Sequence, residues 1–134
     1  MKYILALIIF LSLSAGLHGQ CSKINFVDVS LDYAYSKANF DKKSVFIFIY
    51  EESDLKSDFF QSAIFYKNEI CSVFNYKFVN VKAKKTSQMA SEIIRQYNIH
   101  EFPAFVILDG NRVMKEHTHL IYDTQSLLTF ARRN

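Results

Sequence analysis

Residues 99–110 constrain the fold of this chain more than any other part of its sequence. They include the only proline, Pro103, and the only glycine beyond the first twenty residues, Gly110. Between these two lies a short, unbroken apolar run over residues 104–108, which predicts a buried strand. The Asp-Gly pair at 109–110 then predicts a tight hairpin into a partner strand over residues 112–116, because Asp-Gly supplies the positive φ values that such a turn needs.

Pro103 stands where the predicted strand begins. Proline has no N–H to donate to a sheet, so it belongs at the first residue of a strand or on an edge. From the dipeptide Phe102-Pro103 alone an ordinary trans bond is the simpler interpretation, since only about 5–6% of such bonds in folded proteins are cis. The rest of the chain is needed to choose between the two isomers.

Length and composition indicate one domain. The chain has 134 residues, half of them hydrophobic, with 13 Phe and 8 Tyr. This is enough for one core and too little for two. The formal charge of +3 is spread along the chain. The densest basic group, Lys82, Lys84 and Lys85, has no aromatic residues interleaved with it, so we expect a solvated strand end and no nucleic-acid partner.

The N-terminus has the pattern of a secretory signal peptide. Met1 and Lys2 precede an apolar run over residues 3–13, and small and polar residues follow up to Gln20. The apolar run is well short of the roughly 20 residues of a membrane-spanning helix, so we expect no stable membrane span. We predict a signal peptide over residues 1–19, a mature domain over residues 20–134, and export to the periplasm or to the exterior.

Cys21 and Cys71 are the only cysteines. Cysteines tend to pair in the oxidising compartments that exported proteins reach, so these two could form one bridge. Their separation in space is not given by the sequence, and a buried, unpaired Cys71 is the alternative that we favour. Cys21 also invites lipid anchoring, but Gln20 before it is not the small residue that such processing prefers, so we favour a protein without an anchor.

The remaining segments alternate between strand and helix patterns. Residues 45–50 are apolar on both faces and predict a strand in the middle of a sheet that is covered on both sides. A second strand over residues 78–81 follows through helical segments, which predicts a right-handed parallel crossover. The helices are predicted over residues 31–39 after an N-cap at Ser30, from an N-cap at Ser53 to about residue 64, over 68–74, over 88–97 after Thr86 or Ser87, and after Asp123. The order is βαβαββα.

That order, with an isoleucine-x-x-x-proline stretch before the hairpin, resembles the thioredoxin fold. Residues 42–47 resemble the lysine turn into the central strand of exported thioredoxin-like proteins. Residues 75–82 resemble the asparagine-x-x-phenylalanine entry to the next strand, and residues 97–105 match the tyrosine-x-isoleucine-x-x-x-proline signature. The resemblance implies an α/β fold with a central mixed sheet flanked by helices, and it implies that Pro103 is cis.

The chain departs from this family at its reactive site. In active members the central strand ends in tryptophan-cysteine-x-x-cysteine-lysine at a helix N-terminus, where a thiol of lowered pKa attacks a disulfide. The matching positions here are Ser53, Asp54, Leu55 and Lys56, and no cysteine lies between Cys21 and Cys71. We therefore predict a degenerate site with no dithiol chemistry and no catalytic residue.

Two further patterns have simpler explanations. The segment 53–56 also spells the S-x-x-K motif of penicillin-recognising enzymes, but the companion motifs are missing and the chain is too short for that fold. His117 and His119 alternate on a predicted strand and so face the same way, yet two imidazoles fall short of the ligands that zinc requires. We predict no metal and no cofactor.

Two clusters near Ser53 suit structural roles. Glu51, Glu52, Asp54 and Asp58 could tune a ligand site or hold a cation, but we favour charges at a helix start, which complement the helix dipole, together with a solvated loop. Aromatic side chains in the following segment suit core packing better than a ligand site, which applies to Phe59, Phe60, Phe65 and Tyr66.

Two classes of function remain. The first is a redox-inactive binding module, which takes an extended polypeptide or a protein partner in the groove at Phe102 and Pro103 by strand addition. Family members offer the backbone before the cis-proline to such a ligand. The second is a thiol–disulfide oxidoreductase that works through Cys71 or Cys21. An exposed Cys71 of low pKa would favour the second class, and a buried Cys71 the first. On the missing dithiol we favour the binding module over an enzyme.

Overall fold

The computed structural model describes residues 20–134. The predicted signal peptide lies outside the described residues. Within residues 20–134 no helix is both long enough and apolar enough to cross a membrane.

A four-stranded mixed sheet forms the centre of the domain. Its strands are β1 (Ser44–Tyr50), β2 (Phe78–Lys84), β3 (Ala104–Leu108) and β4 (Met114–Thr118), in the spatial order β2-β1-β3-β4. β1 pairs with β2 in parallel and with β3 antiparallel, and β3 pairs antiparallel with β4. The predicted parallel crossover is confirmed, and so is the predicted central position of the strand at residues 45–50, which is β1.

Helices cover both faces of the sheet. In the described part of the chain they are α1 (Leu31–Asp41), α2 (Leu55–Ser62), α3 (Asn68–Lys77), α4 (Gln88–Tyr97) and α5 (Thr124–Arg133), with a short 3₁₀ turn at Ile64–Tyr66. From β1 onwards the order is βαβαββα, with α2 and α3 together forming the first crossover. The predicted N-caps at Ser30, Ser87 and Asp123 are confirmed, since each side chain accepts a backbone N–H of its helix's first turn.

β1 is buried on both of its faces. Phe46 and Phe48 belong to a core layer with α2, α3 and α5, whereas Ile47 and its alternate neighbours belong to a second layer with α1 and α4. The first layer is largely aromatic, with edge-on ring pairs such as Phe46–Phe74 at 4.7 Å and Phe48–Phe65 at 4.8 Å between centroids. The predicted core roles are confirmed for Phe60 and Phe65 and wrong for Phe59 and Tyr66, which are exposed.

The β3–β4 turn differs from the predicted tight hairpin. Asp109 Oδ1 accepts the backbone N–H groups of Asn111 and Val113 at 2.8 and 3.0 Å, so the loop is longer and β4 begins at Met114. The residue with positive φ is Arg112, at 67°, and Gly110 has no positive φ. The Asp-Gly prediction is therefore wrong in its geometry, because the aspartate side chain organises the turn in place of the glycine backbone.

Gly110 is needed for a close approach to α1. The Asn39 side chain donates from Nδ2 to the Gly110 carbonyl at 2.8 Å. A Cβ at Gly110 would lie 1.9 Å from Asn39 Oδ1. This contact, across 71 residues of sequence, attaches the hairpin to the end of α1.

The prediction of an unpaired Cys71 is wrong. Cys71 is fully buried, as predicted, but it forms a disulfide with Cys21, with 5.9 Å between the two Cα atoms. The chain before α1 crosses α3, where Cys21 N–H donates to Asn68 Oδ1 at 3.1 Å. This crossing brings together two cysteines that are 50 residues apart, which no local pattern in the sequence reveals.

Replacing Gly110 by alanine should destabilise the domain by about 1–3 kcal/mol, the usual cost of overpacking, because the new methyl group would collide with the Asn39 side chain. Asn39→Ala removes the obstacle together with its hydrogen bond. The double variant should therefore be more stable than the sum of the single changes predicts. Denaturant unfolding of the four proteins measures this coupling, and strict additivity would contradict it.

Candidate functional site

The two predicted halves of the site meet at one end of the sheet. β1 and β3 are antiparallel, with Ile49 opposite Ala104. The segment that follows β1 and the segment that precedes β3 therefore lie at the same end of the sheet. The Phe102–Pro103 peptide bond is cis and Pro103 is buried. Lys85 joins the two segments, since its Nζ lies 3.2 Å from Glu51 Oε1 and 4.7 Å from the centre of the Phe102 ring.

Helix α2 begins one residue later than the sequence predicted. Ser53 has a φ of 58° and stands before the helix, whereas Asp54 is the N-cap and its Oδ2 accepts the Ser57 N–H at 2.7 Å. A carboxylate at this position satisfies a free N–H and complements the positive end of the helix dipole. The predicted Ser53 cap is therefore wrong, and Asp54 holds that role.

The observed start of α2 offers a second assignment of the positions at which a dithiol would lie. An activated thiol lies at a helix N-terminus, and the residues there with the required spacing of three are Asp54 and Ser57. Ser57 is fully buried, and its hydroxyl accepts the Glu51 N–H at 3.2 Å. The sequence comparison matched Ser53 and Lys56 instead. Neither pair contains sulfur, so neither can form or exchange a disulfide.

Asp54→Cys with Ser57→Cys should introduce disulfide-exchange activity, because it places two thiols at the helix start with the spacing of an active dithiol. Insulin reduction, followed by turbidity with dithiothreitol supplied, measures it. The unchanged chain should match the uncatalysed rate.

The matched control is Ser53→Cys with Lys56→Cys, the pair that the resemblance to the thioredoxin family assigns to the dithiol positions. Higher activity in this control than in the Asp54/Ser57 variant would contradict the register assigned to α2.

Lys56 joins α2 to the segment that follows β4. Its Nζ donates to the His119 carbonyl at 2.8 Å and lies 4.3 Å from the centre of the Tyr122 ring. Burial lowers the pKa of the Lys56 ammonium from its ordinary value, although the nearby Asp54 and Glu101 carboxylates act to raise it. These non-covalent contacts were not predicted. His119 is 63 residues from Lys56 in the sequence, and the group that accepts the bond is a backbone carbonyl.

The amine of Lys56 should titrate at a lower pH than that of Lys37. The pKa of Lys37 is raised, chiefly by a hydrogen bond to Asp41 at 2.9 Å. Labelling with an amine-reactive ester over a pH series, read by mass spectrometry, gives the pH at which each rate is half-maximal. Asp41→Asn should lower that pH for Lys37 alone. Equal values for Lys56 and Lys37 would contradict the effect of burial.

The acidic residues of this region are engaged in contacts within the chain. Glu52 pairs with Lys84 at 2.7 Å and Glu51 with Lys85, and Asp54 caps α2. Asp54 and Asp58 lie at the helix start, whereas Glu51 and Glu52 are exposed in the loop before it, as the prediction of helix-start charges and a solvated loop requires. Within residues 20–134 no group of three or more His, Cys, Asp or Glu side chains is placed to hold a metal ion.

The prediction that His117 and His119 lie on one strand is wrong. His117 lies on β4, whereas His119 lies beyond its end and pairs through Nε2 with Glu101 Oε2 at 2.5 Å. Both nevertheless line a shallow hollow of about 250 Å³ beside the segment that leads to Pro103. His119 thus connects the segment after β4 to the cis-proline loop.

Phe102 presents free backbone groups at this end of the sheet. Across residues 20–134 neither its N–H nor its C=O takes part in a hydrogen bond. Exposed apolar side chains occur on the neighbouring segments, where Leu55 is 86% exposed, Tyr122 63% and Leu120 59%. The site therefore combines unsatisfied backbone with apolar surface and no thiol, since Cys21 and Cys71 are joined to each other where the chain crosses α3.

A larger groove lies elsewhere on the domain. It has a volume of about 560 Å³ and runs between α1 and α4, with Tyr35, Tyr97 and Arg112 in its wall. Arg112 is held there by Asp32 at 2.5 Å and lies over the Tyr35 ring. None of these residues was a predicted site residue.

Comparisons with known proteins bear on the fold. No protein-family model matches the chain, and no curated protein does. Among solved structures, a "putative disulphide-isomerase" from Bacteroides thetaiotaomicron is 19% identical with a TM-score of 0.74, covering 85% of this chain and 94% of its own. A thioredoxin from Thermus thermophilus is 14% identical with a TM-score of 0.70, covering 84% and 86%.

A third structure, named DsbH oxidoreductase, is 15% identical with a TM-score of 0.68 and covers 89% of this chain and 92% of its own. All three superpose over most of both chains, which confirms the predicted thioredoxin-like fold. At these identities the likeness concerns the fold alone.

Proposed function

We propose that this thioredoxin-fold chain is an exported binding module that holds an extended polypeptide at Phe102 and Pro103 and carries out no dithiol exchange. The observation that carries the proposal is the free N–H and C=O of Phe102 at the open end of the sheet. An extended ligand can satisfy both groups by pairing as an added strand.

The surroundings of Phe102 favour an apolar, extended ligand. Leu55 and Tyr122 offer apolar surface on the two neighbouring segments, which can cover side chains that project from the ligand. Glu51 pairs with Lys85, and Glu101 Oε2 contacts His119 Nε2, so both carboxylates beside the groove already have a partner in the chain. Affinity would therefore come from backbone pairing and apolar burial more than from ionic contacts.

The state of the cysteines argues against the oxidoreductase alternative. A reactive thiol has a low pKa and is accessible to its substrate. Cys71 is fully buried and bonded to Cys21, and neither residue lies at the start of α2. Export remains part of the proposal, and its support is the signal-peptide pattern over residues 1–19.

Leu55→Asp should weaken the binding of an unfolded polypeptide at least fivefold, because the new charge must be desolvated against the apolar ligand. The probe is a reduced, carboxymethylated and fluorescently labelled protein, whose blocked thiols exclude disulfide exchange. Fluorescence anisotropy at constant salt gives the dissociation constants.

Phe40→Asp is the matched control, because Phe40 is 89% exposed and lies near the end of α1, away from the groove. It should bind the probe as the unchanged chain does. No binding by the unchanged chain, or equal weakening in the two variants, would refute the assigned groove.

A further inference from the structure

The chain before α1 forms a strap, residues 20–27, across α3 and the outer edge of β2. Ile24 N–H donates to the Phe65 carbonyl at 3.0 Å, and Val27 N–H donates to the Asn80 carbonyl at 2.9 Å. Phe26 forms a parallel bridge with Asn80. The strap thus closes one point of an edge strand that would otherwise offer its backbone to another chain.

The strap also forms one wall of a surface groove. A hollow of about 380 Å³ lies between the strap and the segment around Phe65. Asn80 is almost fully buried, and its Oδ1 has no hydrogen-bond partner within residues 20–134. Ile24 is the one side chain of the strap that is fully inside the core. Further non-covalent contacts hold the strap, including the bond from Asn25 N–H to Asn75 Oδ1 at 2.8 Å and the Phe26 ring, which packs edge-on against Phe65.

The Cys21–Cys71 disulfide is the covalent attachment of this strap, and its two residues differ in exposure. Cys71 is fully buried, whereas Cys21 is only partly buried. Asn75 Nδ2 donates to Cys21 Sγ at 3.2 Å and to the Lys23 carbonyl at 3.1 Å, which keeps the strap and its sulfur in place. Cys21 is therefore the more exposed residue of the bridge and the one at which we expect a thiolate from solution to attack.

We propose that this disulfide is a redox latch: an external dithiol reduces it by attack on Cys21, and reduction releases the strap from the edge of β2. The first thiolate forms a mixed disulfide with Cys21 Sγ, and the Cys71 thiolate leaves and takes up a proton. The second thiol of the reductant, as its thiolate, then attacks the mixed disulfide, and Cys21 leaves and is protonated. The dithiol becomes a disulfide, and the chain gains two thiols.

The latch is independent of the polypeptide groove. β1 and its pairing with β2 and β3 involve no residue of the strap. Reduction should therefore open the strap and leave the sheet folded, so that in this reaction the chain is a substrate of dithiol exchange.

Hydrogen exchange of the full mature chain tests the release. With dithiothreitol, the amides of Ile24 and Val27 should exchange at least tenfold faster than without it, whereas the amide of Ile47 in β1 should stay protected. Unchanged exchange at Ile24 and Val27 would overturn the latch. Equal acceleration at Ile47 would overturn it as well, because the bridge would then hold the whole domain.

The matched control is the double variant Cys21→Ser with Cys71→Ser. Without reductant it should show the fast strap exchange of the reduced chain, and dithiothreitol should add nothing. Slow strap exchange in this variant would overturn the proposal, because the bridge would then not be what holds the strap.

The site of attack has its own test. After brief treatment with the monothiol glutathione, the chain is denatured in acid, alkylated and mapped by mass spectrometry. Glutathione should be found on Cys21 and the alkyl group on Cys71. The reverse distribution would overturn the assigned direction of attack.

Discussion

The burial of β1 on both faces is the constraint on which the rest of the structure depends. Phe46 and Phe48 fill one layer and Ile47 with its neighbours fills the other, so helices must pack on both sides. β1 pairs in parallel with β2 on one side and antiparallel with β3 on the other, so the end of β1 and the start of β3 lie at the same end of the sheet. The candidate site is a consequence of that arrangement.

The start of α2 is satisfied by oxygen atoms. The start of α2 requires a group that accepts a backbone N–H, and the Asp54 carboxylate meets that requirement well. Ser57 fills the buried position and satisfies the Glu51 N–H. These are structural roles that need no sulfur, so replacing thiols here removes dithiol exchange while the helix start remains satisfied.

The covalent constraint of this chain lies away from that site. The disulfide attaches the strap to α3, next to the edge strand β2. Around the groove, Lys56 donates a hydrogen bond to the His119 carbonyl, and the His119 ring contacts Glu101. The first contact is a disulfide, which thiols can reduce, and the others are non-covalent. The two regions can therefore be perturbed separately.

The sequence by itself determined the features that depend on near neighbours. The two-faced apolar run gave the central strand, and α4 and the caps at Ser30 and Asp123 followed from residues within one turn. The order of strands and helices along the chain followed from these elements, and the mixed sheet followed from the resemblance. Only the tertiary structure decided the start of α2, the turn around Arg112, the contact between Asn39 and Gly110, and the Cys21–Cys71 bridge. Each of these depends on competing acceptors or on residues brought together from far along the chain, and pattern in a short window carries no information about such distances.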